Sequence, residues 1–268
     1  MQAFFIQGIQ RKLFSVYYPA KQGESSKFIL HIPAFAEEMN CARHVISQQS
    51  RAFADQGYSV LQIDLFGTGE STGEFSDATW DIWKLDIDSA CQWLALQGAN
   101  TVTFWGLRLG SLLAMDCMSS VNLKVEKLIL WHPVLFGEPF VTQFLRLKTV
   151  AGIMNGSLSQ VKITDLKQQI MSGQFIEVAG YLINPEMMTI LMQLDVLKID
   201  ISEDVEIFLI YISNDNAPLQ SKTVEATEFL KKKQCLKSIR HVKGNSFWAV
   251  HGGALQPDLL LRTLESCS

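Results

Sequence analysis

Residues 101–115, TVTFWGLRLGSLLAM, hold the most specific chemical pattern in the chain. An apolar run leads into Gly106-Leu107-Arg108-Leu109-Gly110 and then straight into a helical pattern. That is the frame of a glycine-x-serine-x-glycine elbow, a strained strand-to-helix turn that mounts an attacking hydroxyl. The glycines have a steric reason, since side chains at positions 106 and 110 would collide with neighbouring backbone. The central residue, however, is Arg108. A guanidinium keeps its proton, with a pKa above about 12, and has no lone pair to offer an acyl carbon. It can grip a carboxylate or phosphate in a fork, helped by the positive N-terminus of the following helix. It can equally form an internal ion pair that holds the turn, and both uses stand open at this point.

An elbow of this kind is served by an acid after the next-to-last strand and a histidine after the last. SNDNAP, after the apolar run at 205–212, offers Asp215, a residue that also suits a turn. In KGNSFWAVHGG, Ser246 and Phe247 stand where a histidine is usual, and His251 follows as the candidate base or as a surface-loop residue. The loop HIPAFAEEMNCARH occupies the place that supplies an oxyanion-hole N–H, which Ala34, Phe35 or Ala36 could provide. Glu37 and Glu38 put two carboxylates beside it, opposing a developing oxyanion unless a cation intervenes. One of them is expected to pair with Arg108 while the other simply begins a helix, where acids are favourable. Cys41 lies in the same loop, and Ser111, one residue into the helix, is a displaced alternative nucleophile. The candidate catalytic set is therefore Arg108, Glu37, Glu38, Asp215 and His251, with no metal and no cofactor expected.

For these groups to meet, strands and helices must alternate. Residues 4–9 and 14–18 read as an opening β-hairpin, turning around 10–12. Residues 27–33 are an apolar run suited to a strand buried on both faces, followed by a helix at 40–56 and a strand at 58–65. Residues 79–96 place Trp83, Ile87, Ala90 and Leu94 on one helical face. A strand at 101–105, a helix at 111–120 and a strand at 127–132 complete the regular alternation, which implies parallel strands joined by crossover helices. The pattern breaks after Pro133. Residues 135–204 read as helical and amphipathic with no clear strand, too long for a crossover loop. Strand 205–212, helix 219–232, strand 236–242 and helix 254–265 then resume it.

The expected class is α/β: a mostly parallel central sheet with helices on both faces. Residues 1–134 and 205–268 form the core, and 135–204 a helical cap after the sixth strand. A cap there covers the carboxyl edge, where open α/β sheets bind ligands. Residues 64–71, DLFGTGES, lack the lysine and spacing of a phosphate-binding loop and read as a structural turn.

With 268 residues and a net charge of -4, the chain suits one domain with an insertion and gives no basic face for nucleic acid. No apolar run is long enough to span a bilayer, and MQAFFIQGIQRK does not read as a signal peptide, so a cytoplasmic location without stable membrane insertion is expected. Five cysteines with no CxxC pair point to reduced thiols.

HIPAFAEEMN, YSVLQIDLFGTGESTGEFSDATW, WGLRLGSLLA, WHPVLFGEPFVTQFLRLK and IEVAGY together resemble the exosortase A system-associated hydrolase 2 family of the α/β-hydrolase superfamily. The resemblance runs from about the third strand to the last helix and is most specific in FAEEMN with GLRLG. It implies the α/β-hydrolase fold, a bacterial protein accompanying exosortase and exopolysaccharide systems, and arginine at the elbow as a family trait. Fold does not fix chemistry. One function is a hydrolase of an acyl- or ester-type or anionic small substrate. The alternative is a catalytically inactive homologue that binds or scaffolds in exopolysaccharide-linked processes. The partner expected is a small-molecule substrate or anionic ligand, with a homodimer as a further option.

Overall fold

Gln2–Gly8 (β1) and Arg11–Tyr18 (β2) form an antiparallel hairpin that buries Ile6 opposite Leu13 and leaves Phe5, opposite Phe14, on the outer face. The computed structural model describes residues 1–8, 11–21, 27–154, 162–214, 220–250 and 256–267. The fully buried run Phe28–Ile32 (β3) pairs in parallel with Ser59–Ile63 (β4) and with Thr101–Leu107 (β5). Lys124–Trp131 (β6) extends the sheet beyond β5.

The chain then leaves the sheet to form Gly137–Met154 (α4), Ile163–Met171 (α5), Ile176–Val178 (β7), Tyr181–Ile183 (β8) and Pro185–Gln193 (α6). It returns as Glu206–Ser213 (β9) and Leu236–Lys243 (β10). The eight-stranded order is β1-β2-β4-β3-β5-β6-β9-β10, antiparallel only at β1–β2 and β2–β4. The small antiparallel pair β7–β8 corrects the reading of 135–204 as strand-free. Strands of three residues, interrupted by Ala179 and Gly180, leave no usable alternation in sequence.

Strand residues alternate between two cores because successive side chains leave opposite faces. Phe104, Leu128, Leu130 and Leu209 belong to one. Trp105, Leu107, Ile129, Trp131 and Ile210 belong to the other. The first core is covered by Trp80–Leu96 (α2), Leu109–Cys117 (α3) and Ser221–Lys232 (α7), the second by Glu37–Asp55 (α1) and Pro257–Leu264 (α8). Thr79 caps α2 by accepting from the Ile82 N–H at 3.2 Å. All five cysteines are buried and none forms a disulfide.

The turn after β4 is structural. The Asp64 carboxylate accepts from Arg43 at 2.9 Å and from the Glu70 N–H at 3.0 Å, and a Cβ at Gly69 would lie 2.0 Å from it.

After β3 the chain turns to α1 and β4; after β5 it turns the other way, to α3 and β6. The carboxyl ends of these neighbouring strands are thus the point at which strand order reverses, the usual binding crevice of an open α/β sheet. Close packing at this point depends on Gly110, where a Cβ would lie 2.3 Å from the Ile32 carbonyl oxygen and 2.4 Å from that of Pro33. We expect Gly110→Ala to cost about 3 kcal/mol, through a collision with backbone that cannot yield. Gly57→Ala meets nothing within 4 Å but must adopt φ +85°, and should cost only about 1 kcal/mol. Urea unfolding midpoints of the two variants check the order.

Candidate functional site

Two strained residues begin the site. Arg108 precedes α3 at φ 54°, ψ -118°, and Ala36 precedes α1 at φ 51°, ψ -128°. Non-glycine residues in such conformations cost on the order of 1–3 kcal/mol and persist only where the surroundings fix them. The Arg108 N–H donates to the Trp131 carbonyl at 3.0 Å, and the Arg108 carbonyl accepts from Ser111 at 3.0 Å and Val134 at 3.1 Å. These two turns begin α1 at Glu37 and α3 at Leu109, earlier than the apolar periodicity suggested.

The Arg108 side chain lies against Glu38. Nε and Nη2 donate to the same oxygen, Glu38 Oε1, at 3.2 and 3.1 Å, and no hydrogen bond among the described residues engages Nη1. This is not the two-oxygen fork that an optimal arginine–carboxylate pair makes. Glu38 Oε2 is buried without a hydrogen-bond partner among the described residues. Burial raises the Glu38 carboxyl above its ordinary pKa, against the opposing pull of the Arg108 charge and hydrogen bonds. The Trp248 ring flanks the guanidinium, with 5.6 Å from Cζ to its centroid.

Glu37 goes elsewhere. Its Oε2 accepts from the Tyr181 hydroxyl at 2.8 Å and from Asn40 Nδ2 at 3.1 Å, tying β8 to the first turn of α1. Burial, then the Glu37 carboxylate, push Tyr181 up to about 12.

His132, directly after β6, has φ 41° and accepts the Ile212 N–H on Nδ1 at 3.3 Å. Burial first, and then the Arg108 charge, lower it to about 4, so at neutral pH it is an uncharged imidazole with its proton on Nε2. Its ring lies 4.8 Å from that of Trp248 and 5.9 Å from that of Tyr211. The Ser111 hydroxyl is buried and donates to the Gly106 carbonyl at 3.1 Å, which turns it into the elbow. The Cys41 thiol is raised by burial and by Glu37 and Glu38, the opposite of an activated thiolate.

A cavity of about 470 Å³ opens here, with Phe35, Glu38, Arg108, Phe144, Tyr181 and Trp248 in its wall. A second of about 390 Å³ adjoins it and shares Arg108, His132, Phe140 and Gln143. Of the residues singled out in sequence, Arg108, Glu37 and Glu38 therefore come together, whereas Asp215 and His251 lie outside the described residues. Sequence reasoning missed His132, Trp248 and Tyr181. His132 had a usable mark, its place at a strand's carboxyl end; Tyr181 had none, because only tertiary packing brings it to α1.

His132 also gives a measurable pH dependence. Its pKa is about 4 when folded, against 6.5 for a solvated histidine. The unfolded chain therefore binds the extra proton, so stability is full above pH 6.5 and drains away as pH falls toward 4. Asparagine tolerates a positive φ, so His132→Asn should flatten this slope by about 1.4 kcal/mol per pH unit. Denaturant midpoints between pH 7 and 4 measure it, and parallel slopes would contradict the assignment.

No family model matches the chain, and no curated protein matches it. Solved structures do. Est1E from Butyrivibrio proteoclasticus, with ferulic acid bound, superposes with a TM-score of 0.68 at 13% identity, covering 98% of this chain and 97% of that one. Mouse alpha/beta hydrolase domain-containing protein 10 gives 0.61 at 14% identity, covering 100% and 98%. An alpha-beta serine hydrolase homologue from Coxiella burnetii gives 0.59 at 14%, covering 100% and 97%. With strand order, elbow and whole-chain superposition agreeing, the chain has the α/β-hydrolase fold.

Proposed function

We propose that the chain is a hydrolase of a small acyl- or ester-type substrate carrying an anionic group, working by attack of water and not through an acyl-serine. The reading is carried by the Arg108–Glu38 pair in the wall of the larger cavity, a cation and a carboxylate of raised pKa where the fold mounts its reacting groups. Arg108 Nη1 is the donor for the substrate's anion or its carbonyl oxygen. The Leu109 N–H, first in α3 and so without an intrahelical acceptor, is the second donor to the tetrahedral oxyanion. Glu38 takes a proton from water as hydroxide adds to the acyl carbon. It returns that proton to the departing alkoxide, so ester and water give acid and alcohol. Asp215 and His251 keep their proposed places as further acid and base.

In this reading residues 135–204 are the cap. Phe140 and Phe144 pack edge-on against Phe35 in the cavity wall, with ring centroids 5.7 and 5.1 Å from it, and the Tyr181–Glu37 bond fastens the cap to the core. The proposed setting, taken from the sequence resemblance alone, is a bacterial exosortase and exopolysaccharide system. A cytoplasmic location fits with it; among the described residues no helix is long and apolar enough to cross a membrane.

A second reading, an inactive homologue that binds or scaffolds, is favoured by the Ser111 hydroxyl's bond into the elbow and by Trp248 flanking the guanidinium.

Turnover separates the two. Mono-p-nitrophenyl esters of dicarboxylic acids should be cleaved faster than p-nitrophenyl acetate, with no labelling by a fluorophosphonate. Glu38→Gln should lower kcat on the order of 100-fold, the usual contribution of a general base. Absence of turnover on every ester in the unaltered protein rejects the hydrolase in favour of the binding protein.

A further inference from the structure

Among the described residues, the charges lining the smaller cavity are of one sign: Arg108 and Lys222 line it, His132 and His241 line it as well, and no Asp or Glu does. The carboxylate whose charge is felt from Lys222, Glu138, is itself paired with Lys167. Lys222 stands in the first turn of α7, a helix of 12 residues, where unsatisfied backbone N–H groups and the helix dipole favour an anion.

Tyr211 supplies an independent observation. Its side chain lines this cavity at 7% exposure, and its hydroxyl is buried without a hydrogen-bond partner among the described residues. Buried phenols ordinarily find a partner, and one without is destabilising unless an acceptor is supplied from outside the fold. The larger cavity differs, since Glu37 and Glu38 line it beside Arg108.

We infer that the smaller cavity is a binding site for a phosphate-class oxyanion, with Lys222 as its charge partner and the first turn of α7 and the Tyr211 hydroxyl as hydrogen-bond donors. A phosphate group offers about two negative charges and three acceptor oxygens, one for each of these three donors. Taken with the proposed hydrolase reaction, on which this last step rests, the substrate is a phosphorylated ester. Its acyl group lies beside Arg108 in the larger cavity and its phosphate in the smaller.

Calorimetry on the full chain with phenyl phosphate, and with phenyl acetate as the neutral probe, tests the site without relying on turnover. Phenyl phosphate should bind and phenyl acetate should bind far more weakly. Lys222→Met should weaken phosphate binding at least 10-fold, Lys222→Arg should retain most of it, and Lys237→Met, on the exposed part of β10, should leave it unchanged. Tyr211→Phe should weaken it about 5-fold, as for one hydrogen bond, while raising the Tm of the protein alone, because an unpartnered hydroxyl has been removed.

No binding of phenyl phosphate overturns the inference. So does binding that ignores both Lys222→Met and Tyr211→Phe, since the anion then sits on Arg108 in the larger cavity. A Tm lowered by Tyr211→Phe would make that hydroxyl structural and overturn its assigned role. Phosphate binding with no ester turnover defeats the hydrolase reading alone; ester turnover with no phosphate binding defeats this one alone.

Discussion

A permanently charged guanidinium at the start of α3 is an electrostatic problem that the rest of the site is arranged around. Arg108 faces the positive end of a helix dipole and is only 8% exposed, so its charge has neither water nor the helix to stabilise it. Glu38 resolves this from the first turn of α1, and the face of Trp248 adds a weaker cation–π attraction. The pair can form because Arg108 sits in the strained turn after β5 and Glu38 lies two residues beyond the strained Ala36 turn after the neighbouring β3, at the place where strand order reverses.

The pairing is geometrically incomplete. One carboxylate oxygen takes both guanidinium bonds, its twin remains without a partner among the described residues, and Nη1 is not engaged. A purely structural ion pair in a buried setting gains most when every lone pair and proton is satisfied. Around it lie groups that are uncharged at neutral pH, His132, Trp248 and Tyr211, so the field in the cavities comes from a few fixed charges. Carboxylates stand in one cavity and Lys222 in the other, with Arg108 between.

The segment between β6 and β9 gives the larger cavity its far wall. Its aromatic side chains meet Phe35, and its small hairpin is fastened to α1 by one phenol–carboxylate bond, with Asn184 donating to the Ser76 carbonyl at 3.1 Å as a second tie. Val141, Leu145, Met188 and Leu191 of this segment are buried in the same core as Phe104, Leu128 and Leu130 of the sheet, so apolar burial as well as these polar ties holds it over the sheet edge.

Much of this was legible in the sequence for a definite reason. Strand burial, helix periodicity and the spacing of Gly106 and Gly110 are local constraints, written in consecutive residues, and they specify an α/β-hydrolase elbow with the wrong atom for a nucleophile. Which glutamate would meet Arg108 was not local: Glu37 and Glu38 are neighbours in sequence but leave α1 in different directions, one toward β5 and one toward the inserted hairpin. The roles of His132, Tyr181, Tyr211 and Trp248 are likewise set by distance across the fold. Sequence fixes which chemistry is impossible here, because a guanidinium cannot attack; only tertiary packing decides which charges it meets, because contact is a property of folded neighbours and not of chain order.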